Sequence, residues 1–572
     1  MAEHHRLKVL NEPIAVLGAG VAGLINAQVL QRDGFTDIHV ITRDMSVGGV
    51  WCRDRIYPGL TINNVHGEYR FSSLEMPPPA TSVETGGHIT GVDMCNYMES
   101  FAEKFLNGRV TFHFETEFHN LRRDEAGTWH VKTEHLKSGR AETLEFKRIV
   151  LCTGGCSNPK IPLALSPAAA ERARFRGMTL HSSQLGTKLD EILSTVKPYS
   201  GTDDTTAGAV LVVGGGKSAQ DICAKLAIEG RRVINVFETT DTFLASKAAI
   251  PDFIRKSRFL GLLSPHIELR TRLERFLHTT WLGSKITHFI WNKLNESSLD
   301  VYGIPKDSPL RLQHSLFWSI RVNDEGRVRS TSYHALVNSG KIEVIAPTRA
   351  SSFSEDGKGI ILANGKTVQA NVVILATGWQ SSWSQIFDEE TAKEIGIGRH
   401  KSQVKIDETW NYATLAGSPP AHPDSENWVT SIYRGIIPAK NIDQRDFAIG
   451  GALFTGNNGY TSEVAAHWIS SYFQGDKMRL PSNAEDAIAQ AERKSAWIRT
   501  RFPDMLAWIN ESYSATLDFW TWPQAVDELL EDMYLLSVRS GGNWLTWPFQ
   551  VIDLKEISTL EEERRVRRQQ VV

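Results

Sequence analysis

Two segments of this 572-residue chain repeat one pattern: a short apolar run, a glycine-rich turn and a stretch of helical composition. The apolar runs are residues 14–17 and 209–213, and each is followed by a second strand-like run, at 38–41 and 233–237. Continuous apolar runs of this length are typical of parallel strands covered on both faces. The pattern therefore predicts an α/β fold with two Rossmann-like dinucleotide-binding domains.

Two further apolar strands, at 149–152 and 372–376, each end in a Thr-Gly turn. We interpret them as the crossings between the two domains, with the second domain inserted in the first. The predicted first domain is discontinuous and covers 1–160 and 370–572. The predicted second domain covers 175–365.

A segment at about 252–300 exceeds what a minimal nucleotide-binding domain needs, and it carries apolar residues at helical spacing. These residues are Leu269, Leu273, Phe276, Leu277 and Trp281. We expect a helical insertion that packs this face on the core. A substrate lid and a membrane-surface helix are the alternatives.

Charge and composition exclude several classes of function. The net charge is −3 and the pI is about 6.7, so the basic footprint of a nucleic-acid-binding domain is missing. No uninterrupted apolar run reaches the roughly 18 residues of a spanning helix, and membrane contact is not expected. The five cysteines are too few for a disulfide framework, which favours a reducing, cytoplasmic compartment. No metal site is predicted, and the oligomeric state is not predicted.

The two glycine turns point to nucleotide binding. Glycine lets the backbone turn tightly and approach a pyrophosphate, which then accepts hydrogen bonds from the unpaired N–H groups of the following helix. Both turns follow an apolar strand and open a helix, which is the context that gives the motif its meaning. The predicted contact residues are Gly18, Ala19, Gly20, Val21, Ala22 and Gly23 in the first turn, and Gly214, Gly216, Lys217, Ser218, Ala219 and Gln220 in the second.

Two such sites in one chain predict a resident flavin and an exchanging nicotinamide that reduces it. Three outcomes follow from that pairing: a disulfide reductase, an oxygenase, or a flavoprotein that senses redox state. A disulfide reductase needs two cysteines separated by four residues soon after the first unit. Cys52 is in the right region, but Tyr57 is in the place of the second thiol, which argues against that activity.

Several motifs, in order along the chain, together resemble those of the flavin-containing monooxygenases, in particular fungal-type members. They are the turn at 18–23, Gly48-Gly49-Val50-Trp51, Tyr57-Pro58-Gly59, Asn63 followed by Phe71-Ser72 and Met76-Pro77, Phe175-Arg176-Gly177 with His181-Ser182, the turn at 214–219, and Leu375-Ala376-Thr377-Gly378. The resemblance covers most of the chain. It implies FAD in the first domain, NADPH in the second, and O2 together with a small organic molecule as substrates.

The resemblance also implies a reaction cycle. NADPH reduces FAD, the oxidised nicotinamide stays bound, and O2 gives a flavin C4a-hydroperoxide that oxygenates a soft nucleophile, usually an amine nitrogen or a sulfide. Asn63 aligns with the active-site asparagine of the family, and Asn64 is the alternative one residue away. Gly49, Val50 and Trp51 are expected beside the flavin, and Thr377 and Gly378 beside a nucleotide.

The linker fingerprint of the family helps to discriminate between two kinds of oxygenation. The pair His181-Ser182 favours heteroatom oxygenation, since Baeyer–Villiger relatives have threonine after the histidine. Leu185 stands where the family usually has an aromatic residue, and it weakens both assignments. The main interpretation is an FAD-dependent, NAD(P)H-driven monooxygenase acting at N or S. A Baeyer–Villiger monooxygenase and a flavoprotein oxidase or sensor are the alternatives.

Both nucleotide sites depart from the usual pattern at the end of the second strand, where a ribose-binding carboxylate is expected. In the first site this position is Thr42, and Asp44 lies two residues further on. In the second site it is Glu238, where an NADPH-specific relative more often has a cation. NADH is therefore a possible second reductant.

Two helices are expected near the C-terminus. An apolar helix is predicted from about Val464, capped by Thr461 or Ser462, with its positive end directed at the flavin. The charged run at 561–568 is expected to be a solvated helix end.

Overall fold

The computed structural model describes residues 2–199, 208–383, 385–506 and 508–571. Two five-stranded parallel sheets form its centre, and each has a glycine turn at the carboxyl end of its middle strand. The predicted α/β fold with two Rossmann-like units is confirmed. Among the described residues, none of the helices has both the length and the apolar character that crossing a bilayer requires.

The strands are numbered along the chain. They are β1 Ile14–Leu17, β2 Ile38–Ile41, β3 Thr61–Val65, β4 His88–Thr90, β5 Thr111–His113, β6 Thr116–Arg123, β7 Trp129–His135, β8 Ala141–Phe146, β9 Arg148–Leu151, β10 Asn158–Pro159, β11 Met178–His181, β12 Val210–Val213, β13 Val233–Val236, β14 Thr242–Ser246, β15 Val322–Arg327, β16 Ile342–Ile345, β17 Ala350–Phe353, β18 Gly359–Leu362, β19 Thr367–Gln369, β20 Val372–Leu375, β21 Trp379–Gln380, β22 Arg399–His400, β23 Val429–Thr430, β24 Ile432–Tyr433, β25 Ile437–Pro438, β26 Phe447–Ile449, β27 Leu453–Thr455 and β28 Thr516–Asp518.

The α-helices are numbered in the same way. They are α1 Ala2–Leu10, α2 Val21–Arg32, α3 Ser82–Thr85, α4 Gly91–Phe105, α5 Pro167–Arg172, α6 Leu185–Thr195, α7 Lys217–Ile228, α8 Asp252–Arg255, α9 Phe259–Leu262, α10 Arg272–Thr279, α11 Trp281–Val301, α12 Tyr333–Asn338, α13 Glu389–Ile395, α14 Asn458–Gln474, α15 Ala484–Arg501, α16 Trp522–Asp532 and α17 Leu560–Val571.

The order of strands places the two glycine turns at equivalent positions. In the first sheet the order is β26-β9-β1-β2-β5, and in the second it is β11-β20-β12-β13-β16. All four residues of β1 and of β12 are buried, as expected for parallel strands with helices on both faces. The turns after β1 and β12 therefore open at the carboxyl edge of each sheet, where open α/β sheets bind their ligands.

The crossings between the two units differ from the prediction in one respect. Strand β20 lies between β11 and β12 in the second sheet and pairs with both. The chain therefore returns to the first unit after Leu375 and not at about residue 370. The two crossing segments run side by side, because β10 and β21 form an antiparallel pair. The physical reason for the shift is that β20 has to complete the second sheet before the chain can leave it.

The segment at 252–300 is helical, formed by α8 to α11, but its predicted packing face is wrong. Of the five apolar residues at helical spacing, only Leu277 is buried. Leu273, Phe276 and Trp281 are exposed to solvent.

The charged run near the C-terminus is only partly a solvated helix end. In α17 the side chain of Arg564 is buried, and its Nη2 lies 2.7 Å from Oδ2 of Asp33 at the end of α2. The Nε of Arg568 donates to the carboxylate of Asp476 at 2.8 Å. These two ion pairs attach the helix to the first unit, whereas Glu562, Arg565 and Arg567 are exposed to solvent.

Candidate active site

Two positions of the first glycine turn accept only glycine, Gly18 because of its backbone and Gly23 because of a close approach. Gly18 has a φ of +121°, and a Cβ there would lie 2.3 Å from the carbonyl oxygen of Cys152 on the neighbouring strand. A Cβ on Gly23 would lie 1.8 Å from the carbonyl oxygen of Gly18. These close approaches bring β1, the turn and α2 together, so both glycines serve the local fold.

Gly20 has an ordinary backbone conformation, and its importance lies in the open space that its missing side chain leaves. It precedes the first residue of α2, with a φ of −78° that any residue can adopt. A Cβ on Gly20 would have one neighbour within 4 Å, the Cα of Gly49 at 3.7 Å, and would otherwise face open space. The unpaired N–H groups at the start of α2, from Val21 and Ala22, adjoin the same space. We call the space in front of Gly20, Val21 and Ala22 the first cradle, and the corresponding space at the second turn the second cradle. The first cradle fits a pyrophosphate.

The turn at Gly49–Trp51 forms one wall of this cradle. The N–H of Gly48 donates to the carbonyl of Ala19 at 2.9 Å, which fixes the two turns against each other. Val50 is exposed, and the indole N–H of Trp51 donates to the hydroxyl of Tyr69 at 3.3 Å. Gly49 therefore contacts Gly20, and the next two residues along the chain carry an exposed apolar side chain and a half-buried indole.

The end of β2 presents a carboxylate, but not at the usual position. Thr42 is buried, and its hydroxyl accepts a hydrogen bond from the N–H of Asp44 at 3.2 Å. The Oδ1 of Asp44 lies 2.7 Å from Nη2 of Arg55. A ribose hydroxyl would have to share this carboxylate with Arg55, so the ribose contacts of Thr42 and Asp44 stay predictions.

The second glycine turn repeats the geometry of the first. Gly214 has a φ of +130°, and a Cβ there would lie 2.3 Å from the carbonyl oxygen of Ala376. Gly216 precedes α7 with an extended backbone, as Gly20 precedes α2. The buried Ala219 takes the third glycine position. The turn therefore fits a second dinucleotide.

Three predicted residues at the start of α7 have different surroundings. The Nζ of Lys217 lies 2.7 Å from the carboxylate of Asp221, and Ser218 is exposed. Gln220 is buried, and its Nε2 donates to the hydroxyl of Thr240 at 2.9 Å. Gln220 therefore stabilises the turn from its buried side, whereas Lys217 and Ser218 can reach a ligand.

Asp241 and Arg321 stand at the second turn and were missed by the sequence analysis. The Oδ2 of Asp241 accepts the N–H of Lys217 at 2.9 Å, the type of hydrogen bond that a nucleotide phosphate makes at a helix N-terminus. The Nε of Arg321 lies 2.7 Å from Oδ1 of the same carboxylate. A Cβ on Gly216 would lie 3.5 Å from Oδ2 of Asp241 and 3.6 Å from Nη2 of Arg321, so the carboxylate and the guanidinium both border the phosphate position.

Glu238 lies two residues beyond the end of β13, where the adenosine ribose is expected. It forms an ion pair with Arg349, whose Nε lies 2.6 Å from Oε2 of Glu238. Both side chains are exposed. The cation that the sequence lacks at position 238 is therefore supplied by Arg349, from the segment before β17.

Asn63 is oriented by the main chain of β15. Its Nδ2 donates to the carbonyl of Val322 at 2.7 Å, and its Oδ1 accepts the N–H of Asp324 at 3.0 Å. A primary amide has two donors and two acceptor lone pairs, so one of each is left for a ligand. The tertiary structure thus holds the predicted catalytic amide in one rotamer.

A buried charge network lies directly behind Asn63 and was not predicted. Arg255 of α8 donates to the main-chain carbonyl of Asn63 at 2.8 Å, and its Nε donates to Glu68 at 3.0 Å. Its Nη1 also pairs with Asp324. Burial opposes the charge on Asp324, but the Arg255 guanidinium and His88 hold the pKa of that carboxyl well below its usual range. The only sequence signal was the polar run at 323–325 within a predicted domain core.

Asn64 belongs to a second cluster, at the start of α14. Its Nδ2 donates to the carbonyl of Gly456 at 2.9 Å, and its Oδ1 accepts from Nδ2 of Asn458 at 3.2 Å. Asn457 is the N-cap of α14, since its side chain accepts the N–H of Tyr460. The predicted caps Thr461 and Ser462 are wrong, because the helix begins at Asn458 and both residues lie inside its first turns.

The linker histidine, His181, makes contacts that join separate segments of the chain. His181 is buried, its Nε2 lies 3.1 Å from the carbonyl oxygen of Gly378, and its ring packs edge-on against Trp379. Burial lowers the pKa of His181. The hydroxyl of Thr377 donates to the carbonyl of Lys160. These contacts join the crossing strands, and nucleotide contacts of Thr377 and Gly378 stay predictions.

The surroundings of the cysteines agree with the argument against a disulfide reductase. All five cysteines are free, and Cys52 is buried. Burial raises the pKa of the Cys52 thiol to about 11. A neutral thiol without a partner cysteine has no means of relaying electrons to a disulfide substrate.

Comparisons with known proteins agree with this geometry. The family model for pyridine nucleotide-disulphide oxidoreductases matches residues 12–258. The chain is 27% identical over 531 residues to the FAD-dependent monooxygenase resA of Aspergillus sclerotiorum, covering 86% of this chain and 88% of the relative. It is 25% identical to the FAD-dependent monooxygenase DEP4 of Alternaria brassicicola, and the alignment covers 97% of this chain and 95% of the relative. It is 24% identical to human flavin-containing monooxygenase 2, and the alignment covers 88% of this chain and 83% of the relative.

Solved structures give the same picture at the level of the fold. Cyclohexanone-bound cyclohexanone monooxygenase aligns with a TM-score of 0.57 at 15% identity, covering 92% of this chain and 98% of that one. An NADP-bound steroid monooxygenase aligns with a TM-score of 0.56 at 16% identity, covering 92% and 98%. S-allyl-L-cysteine S-oxygenase from Allium sativum aligns with a TM-score of 0.52 at 13% identity, covering 98% of both chains. Identities this low show a shared fold alone.

Proposed function

We propose that this chain is a flavin-dependent monooxygenase that oxygenates a small organic molecule at nitrogen or sulfur with O2 and NADPH. Relatives named FAD-dependent monooxygenases, which align over 86% and 97% of the chain at 27% and 25% identity, support this proposal. The finer assignment rests on the residues of this chain. The observation that carries it is the pair of matching glycine cradles, together with the amide of Asn63, which β15 orients.

In this proposal the first turn, the N-terminus of α2, Val50 and Trp51 would hold FAD. The second turn, the N-terminus of α7 and Arg321 would hold NADPH. Bound FAD supplies hydride acceptance and O2 activation, which side chains cannot provide. Asn63 contributes its spare N–H donor and its spare acceptor lone pair at the reacting end of the flavin. The compartment is proposed to be cytoplasmic.

Strand β15 links Asn63 to the second cradle. Its main-chain groups at Val322 and Asp324 hold Asn63, whereas the side chain of Asn323 donates from Nδ2 to Oε1 of Gln220 at 2.6 Å. A shift of this strand would therefore move both Asn63 and Gln220, which supports a common site for the two nucleotides.

The test begins with the purified protein as it is expressed. A flavin absorption spectrum that is bleached by NADPH under nitrogen establishes the reductive half of the reaction. Turnover under 18O2 with N,N-dimethylaniline, thioanisole or cyclohexanone then distinguishes the three candidate activities. Label in an N-oxide or a sulfoxide supports the proposal, whereas label in a lactone shows a Baeyer–Villiger enzyme. Consumption of NADPH with hydrogen peroxide as the sole product of O2 shows an oxidase.

We predict that Asn63→Ala retains FAD and reduction by NADPH but releases hydrogen peroxide in place of oxygenated product. The reason is that one hydrogen bond to the reacting end of the flavin, worth about 1–3 kcal/mol in a dry site, is lost. The measurement is the ratio of product formed to NADPH consumed, together with FAD content and Tm. The control is Asn64→Ala, since Asn64 bonds Gly456 and Asn458 instead. Unchanged coupling in Asn63→Ala removes this residue from the mechanism.

We predict that the Glu238–Arg349 pair sets the preference between the two nicotinamides. Glu238 repels the 2′-phosphate of NADPH and Arg349 attracts it, so wild type uses NADPH and also accepts NADH. Glu238→Arg is expected to shift kcat/KM towards NADPH about tenfold, and Arg349→Ala to shift it towards NADH, since each change is worth about 1–2 kcal/mol at an exposed site.

The matched control for this pair is Arg232→Ala. Arg232 directly precedes β13, at the amino end of the strand. Its side chain is 43% exposed and lies 3.7 Å from Glu343. It is expected to leave the NADPH to NADH ratio unchanged. If the NADPH to NADH ratio of kcat/KM is also unchanged in Glu238→Arg and in Arg349→Ala, the end of β13 does not face the adenosine ribose.

A further inference from the structure

Helices α10 and α11 present apolar side chains to solvent over several consecutive turns. In α10 the exposed apolar residues are Leu273 and Phe276. In α11 they are Trp281, Leu282, Ile286 and Phe289, with Trp281 74% and Phe289 67% exposed. Leu282, Ile286 and Phe289 recur at spacings of four and three residues, so they form one stripe, and Trp281 directly precedes it. We call these six residues the apolar face. A contiguous exposed stripe of this kind marks an interaction surface.

The buried sides of the same helices are mixed, since they contain the apolar Leu277, Trp291 and Leu299 together with several polar residues. The buried side of α11 includes Gly283, Ser284 and Thr287, and the hydroxyl of Ser284 donates to the carbonyl of Ala413 at 3.0 Å. In α10 the buried His278 has its Nε2 2.9 Å from the carbonyl oxygen of Leu262. Turning either helix to bury its apolar side would break these hydrogen bonds and leave polar groups unsatisfied. The apolar face is therefore held outward.

Cations surround the apolar face. Residues 270–295 contain five Arg or Lys and one acidic residue, a local charge of +4 in a chain of net charge −3. The acidic residue, Glu274, is buried. Within the described part of the chain, no carboxylate is within ion-pair distance of four of the cations, which are Arg272, Arg275, Lys285 and Lys293.

We propose that the apolar face and these four cations dock the protein on the surface of an anionic lipid bilayer. The apolar side chains would enter the boundary between headgroups and acyl chains, and the cations would lie at the level of the lipid phosphates. Trp281 suits this boundary, because an indole has an apolar body and one N–H donor. A second copy of the chain suits the surface less well, since a symmetric contact would bring two sets of unpaired cations together.

This proposal departs from the expectation that the chain makes no membrane contact. Helical spacing identifies an apolar face but not whether that face is covered, and here the structure leaves it open. The proposal does not depend on the reaction that the enzyme catalyses.

The experiment is flotation of the purified, FAD-loaded full-length chain with lipid vesicles. We expect binding to phosphatidylcholine vesicles that contain about 30% phosphatidylserine, weakened by high salt, and little binding to phosphatidylcholine alone. The double variant Trp281→Ser/Phe289→Ser and the double variant Arg272→Glu/Lys285→Glu should each bind the anionic vesicles about tenfold or more weakly. All four side chains are exposed, so Tm and FAD content should match those of wild type.

The matched control is Leu163→Ser, which removes an exposed leucine from another element and should leave vesicle binding unchanged. Absence of binding to anionic vesicles at low salt would overturn the proposal. Equal binding of wild type and both double variants would overturn it as well. Self-association of wild type that Trp281→Ser/Phe289→Ser abolishes, without vesicle binding, would assign the face to a second copy of the chain.

Discussion

Replacing Gly20 with valine is expected to give a folded but colourless protein. The backbone at Gly20 is extended and its missing Cβ faces open space, so valine fits the free chain. The branched side chain would then occupy the path of the FAD pyrophosphate. Loss of about two charge-assisted hydrogen bonds costs about 3–6 kcal/mol, or about a hundredfold to ten-thousandfold in FAD affinity. The measurements are the flavin absorbance per protein and the far-UV circular dichroism of the variant.

The matched control is Gly216→Val, because Gly216 has the same place in the second turn. This variant is expected to stay yellow and to be reduced slowly or not at all by NADPH. A yellow Gly20→Val protein with stoichiometric FAD would show that the first turn is not the flavin site. A colourless Gly216→Val protein would show that the two cradles have been assigned in the wrong order.

Replacing Arg255 with methionine is expected to have the largest effect on stability. The change leaves the carboxylates of Glu68 and Asp324 buried without their common cation, and losing one partner of a buried ion pair costs about 3–5 kcal/mol. It also removes the hydrogen bond to the main chain of Asn63, so the remaining enzyme should release more hydrogen peroxide than wild type. The measurements are the free energy of unfolding in urea and the coupling ratio.

The pH dependence gives this prediction a second readout. The pKa of Asp324 is lowered in the folded protein, so its contribution to stability is present above the unfolded pKa of about 4 and is lost as pH falls towards the folded value. The stability difference between wild type and Arg255→Met should therefore shrink below about pH 4. The control Arg53→Met breaks the exposed pair with Glu99 and should leave the free energy of unfolding nearly unchanged. Equal Tm values for wild type and Arg255→Met would contradict the role of the network.

Features that depend on adjacent residues could be predicted from the sequence. Gly18 and Gly214 stand where a strand must turn directly into a helix, and the backbone that this requires is available to glycine only. The missing second cysteine after Cys52 is equally local. The start of α14 was predicted six residues late, because Thr461 and Asn457 both have capping side chains and only the fold decides which one is used.

Features that depend on distant pairs could not be predicted. Arg255 and Asn63 are 192 residues apart, and Asn63 and Asp324 are 261 apart, so no local pattern connects them. Arg349, which brings a cation to Glu238, is 111 residues further along the chain. The burial of Arg564 in α17 has the same origin, since its partner Asp33 lies near the other end of the sequence.

The sequence by itself determined the two strand–glycine turn–helix units and their order along the chain, because glycine conformation and apolar strand patterns act over a few residues. Its resemblance to a known family indicated the kind of enzyme. Only the tertiary structure decided how Asn63 is oriented, which cation accompanies Glu238 and which side of α11 meets solvent. Those outcomes depend on which polar groups find partners when distant segments pack, and an unsatisfied buried polar group costs more than an exposed apolar side chain. That difference explains why Ser284 and His278 face inward while Trp281 and Phe289 face outward.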